Sequence, residues 1–191
     1  MTYAEKRTRA HFQNAFIKMI KEIGYSKITV RKLVEYADYN RTSFYRYYNN
    51  LDELSSEIIN YIVGTFYDSF DKNSSDQNAT SQIYANIYEN RDYFDLLALD
   101  DTIPQLKEEF IMCIEKILDE EIIESDEHEI LNNEYLYSFY AHGTFGIIQT
   151  WIKNGYTLDY KIFSKYIYKS FTHSIYINPK ISVFTDKNLL F

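Results

Sequence analysis

The amino-acid sequence predicts an all-α fold, with an N-terminal three-helix unit followed by a larger helical body. Three observations carry that prediction. The 191 residues contain 5 Gly and 2 Pro, too few breakers for a many-turned β-sandwich. Apolar residues recur at helical spacing through most of the chain. Capping and turn residues stand where those stripes begin and end. With 46% apolar residues, this length suits one or two modest domains with real cores.

Phe12, Ala15, Phe16, Met19, Ile20 and Ile23 form one apolar stripe opposite Lys18, Lys21 and Glu22, and Gly24 supplies a stop. Thr29 is placed to cap a second helix that reaches about Ala37 and buries Val30, Leu33, Val34 and Ala37. Asp38-Tyr39-Asn40 is a turn whose outer residues tolerate left-handed or capping backbone. Asn40 caps a third helix from Arg41 to about Tyr48, completing a helix-turn-helix. After Asn49-Asn50, a long fourth helix carries Leu54, Ile58, Tyr61, Ile62, Thr65, Phe66 and Phe70.

The polar stretch Asn73 to Gln82 reads as a surface loop. A helix around Ile83, Ile87 and Tyr88 follows, stopping near Asn90, then a short apolar piece from Tyr93 to Leu99. Pro104 fits the first turn of the next helix, which buries Leu106, Phe110, Cys113, Ile114, Ile117 and Leu118. The acidic run Asp119 to Glu129 separates it from two final helices, about 130–153 and 158–176, hinged at Asn154-Gly155. The stripes of these two are Leu131, Tyr135, Phe139, Gly143, Ile147, Trp151 and Phe163, Tyr166, Ile167, Ser170, Phe171. The tail from Asn178 to Phe191 contains Pro179 and a β-leaning ISVF run.

The net charge of −8 conceals a division. Residues 1–50 hold ten Lys and Arg against four acids, a net of +6, and the remainder carries −14. A basic head on an acidic body suits a protein that meets a polyanion at one end.

The segment ITVRKLVEYADYNRTSFYRYYNNLDEL, residues 28–54, resembles the helix-turn-helix of the TetR family of bacterial transcriptional regulators. The shared features are a Thr-capped second helix ending at the small Ala37, a tight turn, and the core Ser43-Phe44-Tyr45-Arg46-Tyr47-Tyr48. Asp52-Glu53-Leu54 then open the fourth helix. YAHGTFGIIQTWIKNGYTLDYKIF is similar to that family's paired dimer helices. The resemblance implies a DNA-binding domain over 1–50 and a helical regulatory and dimerisation domain over 51–191. It implies a cytoplasmic homodimer on a palindromic double-stranded operator, most simply a repressor released by a small apolar or aromatic effector. A family member acting as a protein-binding adaptor or activator, without an effector of its own, is the alternative.

A recognition helix sets its outward residues against base edges and its flanks against phosphate. Phe44 and Tyr48 are spaced to pack inward, which leaves Arg41, Thr42, Tyr45 and Arg46 outward. Arg41 and Arg46 suit bidentate readout of guanine. The resemblance assigns phosphate contacts to Thr29, Ser43, Tyr45 and Tyr47, and Arg31 and Asn50 complete the expected DNA-facing set. The family often has Gly at Asp38 and Lys at Asn50. Arg7 and Arg9, read as preceding the first helix, are expected to reach backbone or minor groove.

Mid-helix Gly143 and Gly146 each cost about 1 kcal/mol against Ala and mark close approach of another helix. They place Gly143, Gly146, Ile147, Trp151, Phe163, Tyr166 and Ile167 near a dimer interface, with packing within the protomer as the alternative. The resemblance implies an effector between the C-terminal helices; Phe94, Leu97, Phe110, Cys113, Phe139 and His142 are the candidates to line it, with ordinary core packing as the commoner role of stripes at helical spacing. No catalytic, metal or cofactor site is expected, because the four histidines are scattered and Cys113 has no histidine nearby in sequence. A single cysteine also suits a reducing compartment. No stretch approaches the roughly 18 uninterrupted apolar residues of a membrane span.

Overall fold

A capping box starts α1 (Tyr3–Ile23): Thr2 Oγ1 accepts from the Glu5 amide at 3.3 Å, and the Glu5 carboxylate accepts from the Thr2 amide at 2.7 Å. The computed structural model describes residues 2–70, 77–123 and 134–175, and every regular element among them is helical. Because the capping box nucleates α1 well upstream of the Phe12 stripe, Arg7 and Arg9 lie inside the helix instead of on a flanking arm. Gly24, at φ +84°, ends α1 and leads into a short 3-10 turn over Tyr25–Lys27.

α2 (Val30–Tyr36) and α3 (Arg41–Tyr45) follow, capped by the side chains of Thr29 and Asn40. α3 stops short of the expected Tyr48, because the Tyr47 amide bonds the Phe44 carbonyl at 2.9 Å and tightens the last turn. Asn50 caps α4 (Leu51–Asp68), which buries Leu54, Ile58, Ile62 and Phe66. Tyr61, expected on that stripe, is exposed and donates to Asn90 Oδ1 at 2.8 Å.

α5 (Gln77–Glu89) corrects the loop expectation for its stretch: Gln77 to Gln82 are helical, continuous with the part of α5 that buries Tyr84 and Ile87. α6 (Arg91–Phe94) runs into a 3-10 turn over Asp95–Ala98. α7 (Leu106–Ile123) begins beyond Pro104, because Gln105 takes a left-handed φ of +65° that no first turn accommodates. It also continues through Asp119 into the acidic run. α8 (Glu134–Lys153) and α9 (Tyr160–Ile175) complete the body. Expectations for 71–76, 124–133 and 176–191 lie outside the described residues.

Aromatic contacts hold the body helices together. Phe66 of α4 meets Phe110 of α7 at 4.6 Å, and Phe110 meets Phe145 of α8 at 6.2 Å. Tyr84 of α5 meets Phe163 of α9 at 4.9 Å. The α8–α9 turn is closed by Trp151, which stacks on Phe163 at 4.5 Å and donates its indole N–H to the Leu158 carbonyl at 2.9 Å.

The segment between α6 and α7 ties the body to the end of α1. Lys21 Nζ lies 2.8 Å from Asp95 Oδ2, whose Oδ1 accepts from the Tyr156 hydroxyl at 2.8 Å. Asp101 accepts from the Ser26 amide at 3.0 Å and from the Ser26 hydroxyl at 2.6 Å. A side chain at Gly24 would collide with this carboxylate, so the glycine supplies both the positive φ and the space. The Ser26 hydroxyl, then the Ser26 amide, hold the Asp101 pKa below its ordinary value. A depressed carboxylate pKa stabilises the fold above the unfolded-state value, and the contribution is lost as pH falls through the folded-state pKa. Ser26→Ala is therefore expected to lower Tm at pH 7, with the difference from the unmodified chain shrinking below about pH 4. Thermal scans across pH 2.5–7 at fixed protein concentration check this, and a difference constant with pH would contradict it.

Candidate nucleic-acid interface

A five-residue helix such as α3 gains little from its own hydrogen bonds and is held by what it buries. Phe44 is fully buried, edge-on to Phe12 of α1 at 5.5 Å, and Tyr48 closes over both rings. With that side committed inward, Arg41, Thr42, Tyr45 and Arg46 are exposed, as the spacing predicts. Neither Arg41 nor Arg46 makes a salt bridge among the described residues. The Arg46 charge is one cause that lowers the Glu5 pKa, after the Thr2 backbone hydrogen bond and the other Thr2 and N-terminal contributions.

The other sequence-predicted residues take more mixed positions. Thr29 is exposed and accepts from the Lys32 amide at 3.3 Å. Ser43 and Tyr47 are half-buried, and the Ser43 amide donates to Asn40 Oδ1 at 2.8 Å. Arg31 is exposed and pairs with Glu35 at 2.9 Å, and that hydrogen bond raises its pKa. Asn50 accepts from the Glu53 amide at 2.9 Å, so it has a structural task where a lysine would have only charge. Lys32 reaches back to the Lys27 carbonyl at 2.8 Å, adding two exposed cations beside α2 that the helix-turn-helix pattern alone did not single out.

Arg9 departs from the expected DNA-facing role. Its guanidinium pairs with Glu57 of α4 at 2.6 Å and sits over the Tyr48 ring at 4.7 Å. Partners 48 residues apart leave no local signal, so sequence spacing did not disclose the pair.

In the body, Trp151, Phe163 and Ile167, expected near the interface, are buried within the protomer, Trp151 and Phe163 by the α8–α9 turn and the α5 contact. Gly143, Ile147 and Tyr166 are exposed, Gly146 is half-buried, and Tyr135, Phe139 and Ile162 extend the exposed apolar surface. Among the effector candidates, Phe94, Leu97, Phe110 and Cys113 are packed in the core, whereas Phe139 and His142 are exposed on α8. The structure therefore does not bring those six side chains together in one cavity. Among the described residues, no group of three or more His, Cys, Asp or Glu is placed to hold a metal ion, and no helix is long and apolar enough to cross a membrane.

Asp38, at φ +57°, supplies the left-handed residue that joins α2 to α3. That backbone costs an L-residue roughly 1–2 kcal/mol, and least for Asp and Asn. Asp38→Val is expected to destabilise by about 1–2 kcal/mol and Asn40→Ala by about 1 kcal/mol, while Asp38→Gly stays within about 1 kcal/mol of the parent. Urea titrations of the three variants measure these differences, and a well-tolerated Asp38→Val would contradict the strain argument.

Two family models match the chain. One, described as bacterial regulatory proteins, tetR family, covers residues 14–58, and the other, described as a transcriptional regulator C-terminal region, covers 75–173. Among solved structures, the chain is similar to a TetR transcriptional regulator from Streptococcus agalactiae 2603V, with a TM-score of 0.66 and 22% identity over 86% of this chain and 93% of that one. It is also similar to the dihydroxyacetone kinase operon activator DhaS, with a TM-score of 0.60 and 19% identity over 88% of this chain and 96% of that one. No curated protein matches the sequence.

Proposed function

The chain belongs to the TetR family of bacterial transcriptional regulators, and from that premise we propose that it binds a palindromic DNA operator as a cytoplasmic homodimer. The observation that carries this reading is the exposed set Arg41, Thr42, Tyr45 and Arg46 on a short helix whose opposite side is locked by Phe44. Residues 1–50 form the DNA-binding part and 51–191 the regulatory and dimerisation part. Arg41 and Arg46 read base edges in the major groove. Thr29, Ser43, Tyr45 and Tyr47 supply hydroxyls to phosphate, with Arg31 beside them, while Asn50 contributes an amide in place of a cation.

Dimerisation is supported by two glycines that nothing among the described residues explains. A Cβ built on Gly143 or Gly146 meets no atom within 4 Å among the described residues, leaving the helix cost of each glycine without a compensating internal contact. Both stand on the helix that exposes Tyr135, Phe139 and Ile147. A second copy covering this face and Tyr166 sets two recognition helices at a fixed separation. The simplest regulatory sense is repression relieved by a small apolar or aromatic effector that favours a spacing unsuited to DNA. The similar fold of an operon activator supports activation as the second reading, with transcription from the operator as the readout that separates them.

Selection of the purified protein against a random duplex library is expected to return a palindrome. Arg46→Ala should weaken binding to it by about 10- to 100-fold and relax specificity at the contacted base pair. No enriched sequence, with only weak binding at low salt, would move the search to protein partners of the acidic body. Ile147→Glu is expected to convert the dimer to monomer in sedimentation and to abolish tight operator binding. A dimer unaffected by that charge would place the interface elsewhere.

A further inference from the structure

Phe44, within α3, and Tyr48, just past its end, are both buried against Phe12 and hold that side of the helix inward. A polar contact to the backbone adds a directional restraint at the same end. Arg9 Nη1 donates to the Tyr47 carbonyl at 3.4 Å, while Nε and Nη2 donate to Glu57 Oε1 and Oε2 at 3.2 and 2.6 Å. One guanidinium therefore spans α1, the end of α3 and the first half of α4. A planar fork suits this task, because it presents donors in fixed directions where an ammonium offers only a point charge.

The surroundings reinforce the clamp. The Arg9 side chain is 23% exposed and Glu57 is 32% exposed, so solvent screens the pair less than it would a fully exposed one. Tyr48 lies under the guanidinium, its ring centroid 4.7 Å from Arg9 Cζ, and serves as a platform. Glu53 adds a further negative charge that Arg9 feels. Burial, and then a side-chain hydrogen bond with Glu57, push the Tyr48 pKa well above the usual tyrosine range.

We propose that Arg9 is a positioning residue for DNA recognition: with Glu57 it fixes the roll of α3, and hence the angle at which Arg41 and Arg46 meet the duplex. This rests on the DNA-binding reading and adds to it the claim that Arg9 itself touches no phosphate. Its cation is already committed to Glu57. Glu57 acts through it from α4, so the angle of the recognition helix follows that of the first helix of the body.

Salt dependence separates positioning from contact. Loss of one phosphate contact lowers the slope of log affinity against log salt by about one, whereas misalignment lowers affinity and leaves the count of phosphate contacts unchanged. The test uses the full chain with Arg9→Met, Arg9→Lys and Glu57→Gln, titrated against the duplex selected by the unmodified protein and against a scrambled duplex, with Tm recorded for each. All three are expected to weaken specific binding by about tenfold, with an unchanged salt slope and unchanged affinity for the scrambled duplex. Arg9→Lys keeps the charge but not the fork and is expected not to rescue. Glu57→Gln removes a negative charge, so simple electrostatics would tighten binding where positioning weakens it.

Rescue by Arg9→Lys, or a slope reduced by about one in Arg9→Met with Glu57→Gln unaffected, would identify Arg9 as a phosphate contact and overturn the proposal. Equal losses on both duplexes that track Tm would reduce the pair to general stability and overturn it as well. If Arg9→Met fails to fold, the Lys and Gln variants still decide the question. Failure of the unmodified chain to select any duplex would overturn the regulator reading itself, a result distinct from every variant outcome.

Discussion

The burial of Phe44 against Phe12 is the contact on which the DNA-facing surface depends. A helix of five residues cannot sustain itself in water, because the entropy of fixing its backbone exceeds what its few hydrogen bonds return. It persists here because one aromatic ring is driven into the core of α1 and Asn40 satisfies an amide at its start. That anchor decides which side of α3 faces outward. The helix-turn-helix is thus a small exposed surface supported by a disproportionately aromatic interior, in which Phe12 meets Tyr39, Phe44 and Tyr48 at 4.9, 5.5 and 6.4 Å.

Polar contacts between the first three helices and the body are as specific as the apolar core is general. Arg9 with Glu57, Lys21 with Asp95, and Ser26 with Asp101 join α1 and its following turn to three separate points on the body. Each is directional, and none is fully removed from water. Such contacts contribute modestly to stability but strongly to geometry, since a hydrogen-bonded pair tolerates little displacement. Asp95 serves two partners: it holds Lys21 with one oxygen and the hydroxyl of Tyr156, in the α8–α9 turn, with the other. The acidic character of the body is therefore partly structural.

The same residue types divide between two tasks in α8 and α9. Trp151 and Phe163 stack inside the protomer, while Phe139 and Tyr166, at similar helical spacing, face outward. Aromatic rings suit both positions because they combine large apolar area with few rotatable bonds. What distinguishes the two sets is the partner element: α5 and the Gly155-Tyr156 turn cover Trp151 and Phe163, whereas no described element covers the face with Gly143 and Ile147.

The sequence by itself determined the helical class, the order of the first four helices, the caps at Thr29 and Asn40, and the inward side of α3. These are local properties: propensity, periodicity and side-chain-to-amide hydrogen bonds act within one or two turns and are written in adjacent residues. The same logic misjudged the start of α1, because the Thr2–Glu5 box precedes the apolar stripe, and the polar start of α5, because a loop and a polar helical turn share a composition. Tertiary structure alone decided that Arg9 faces Glu57, that Asp101 closes on Gly24, and that Trp151 packs inward. These choices depend on which distant elements meet, and no helical period distinguishes an apolar face covered by its own chain from one left open. Burial is a property of the assembled packing, so only the folded chain can divide equivalent stripes into core and surface.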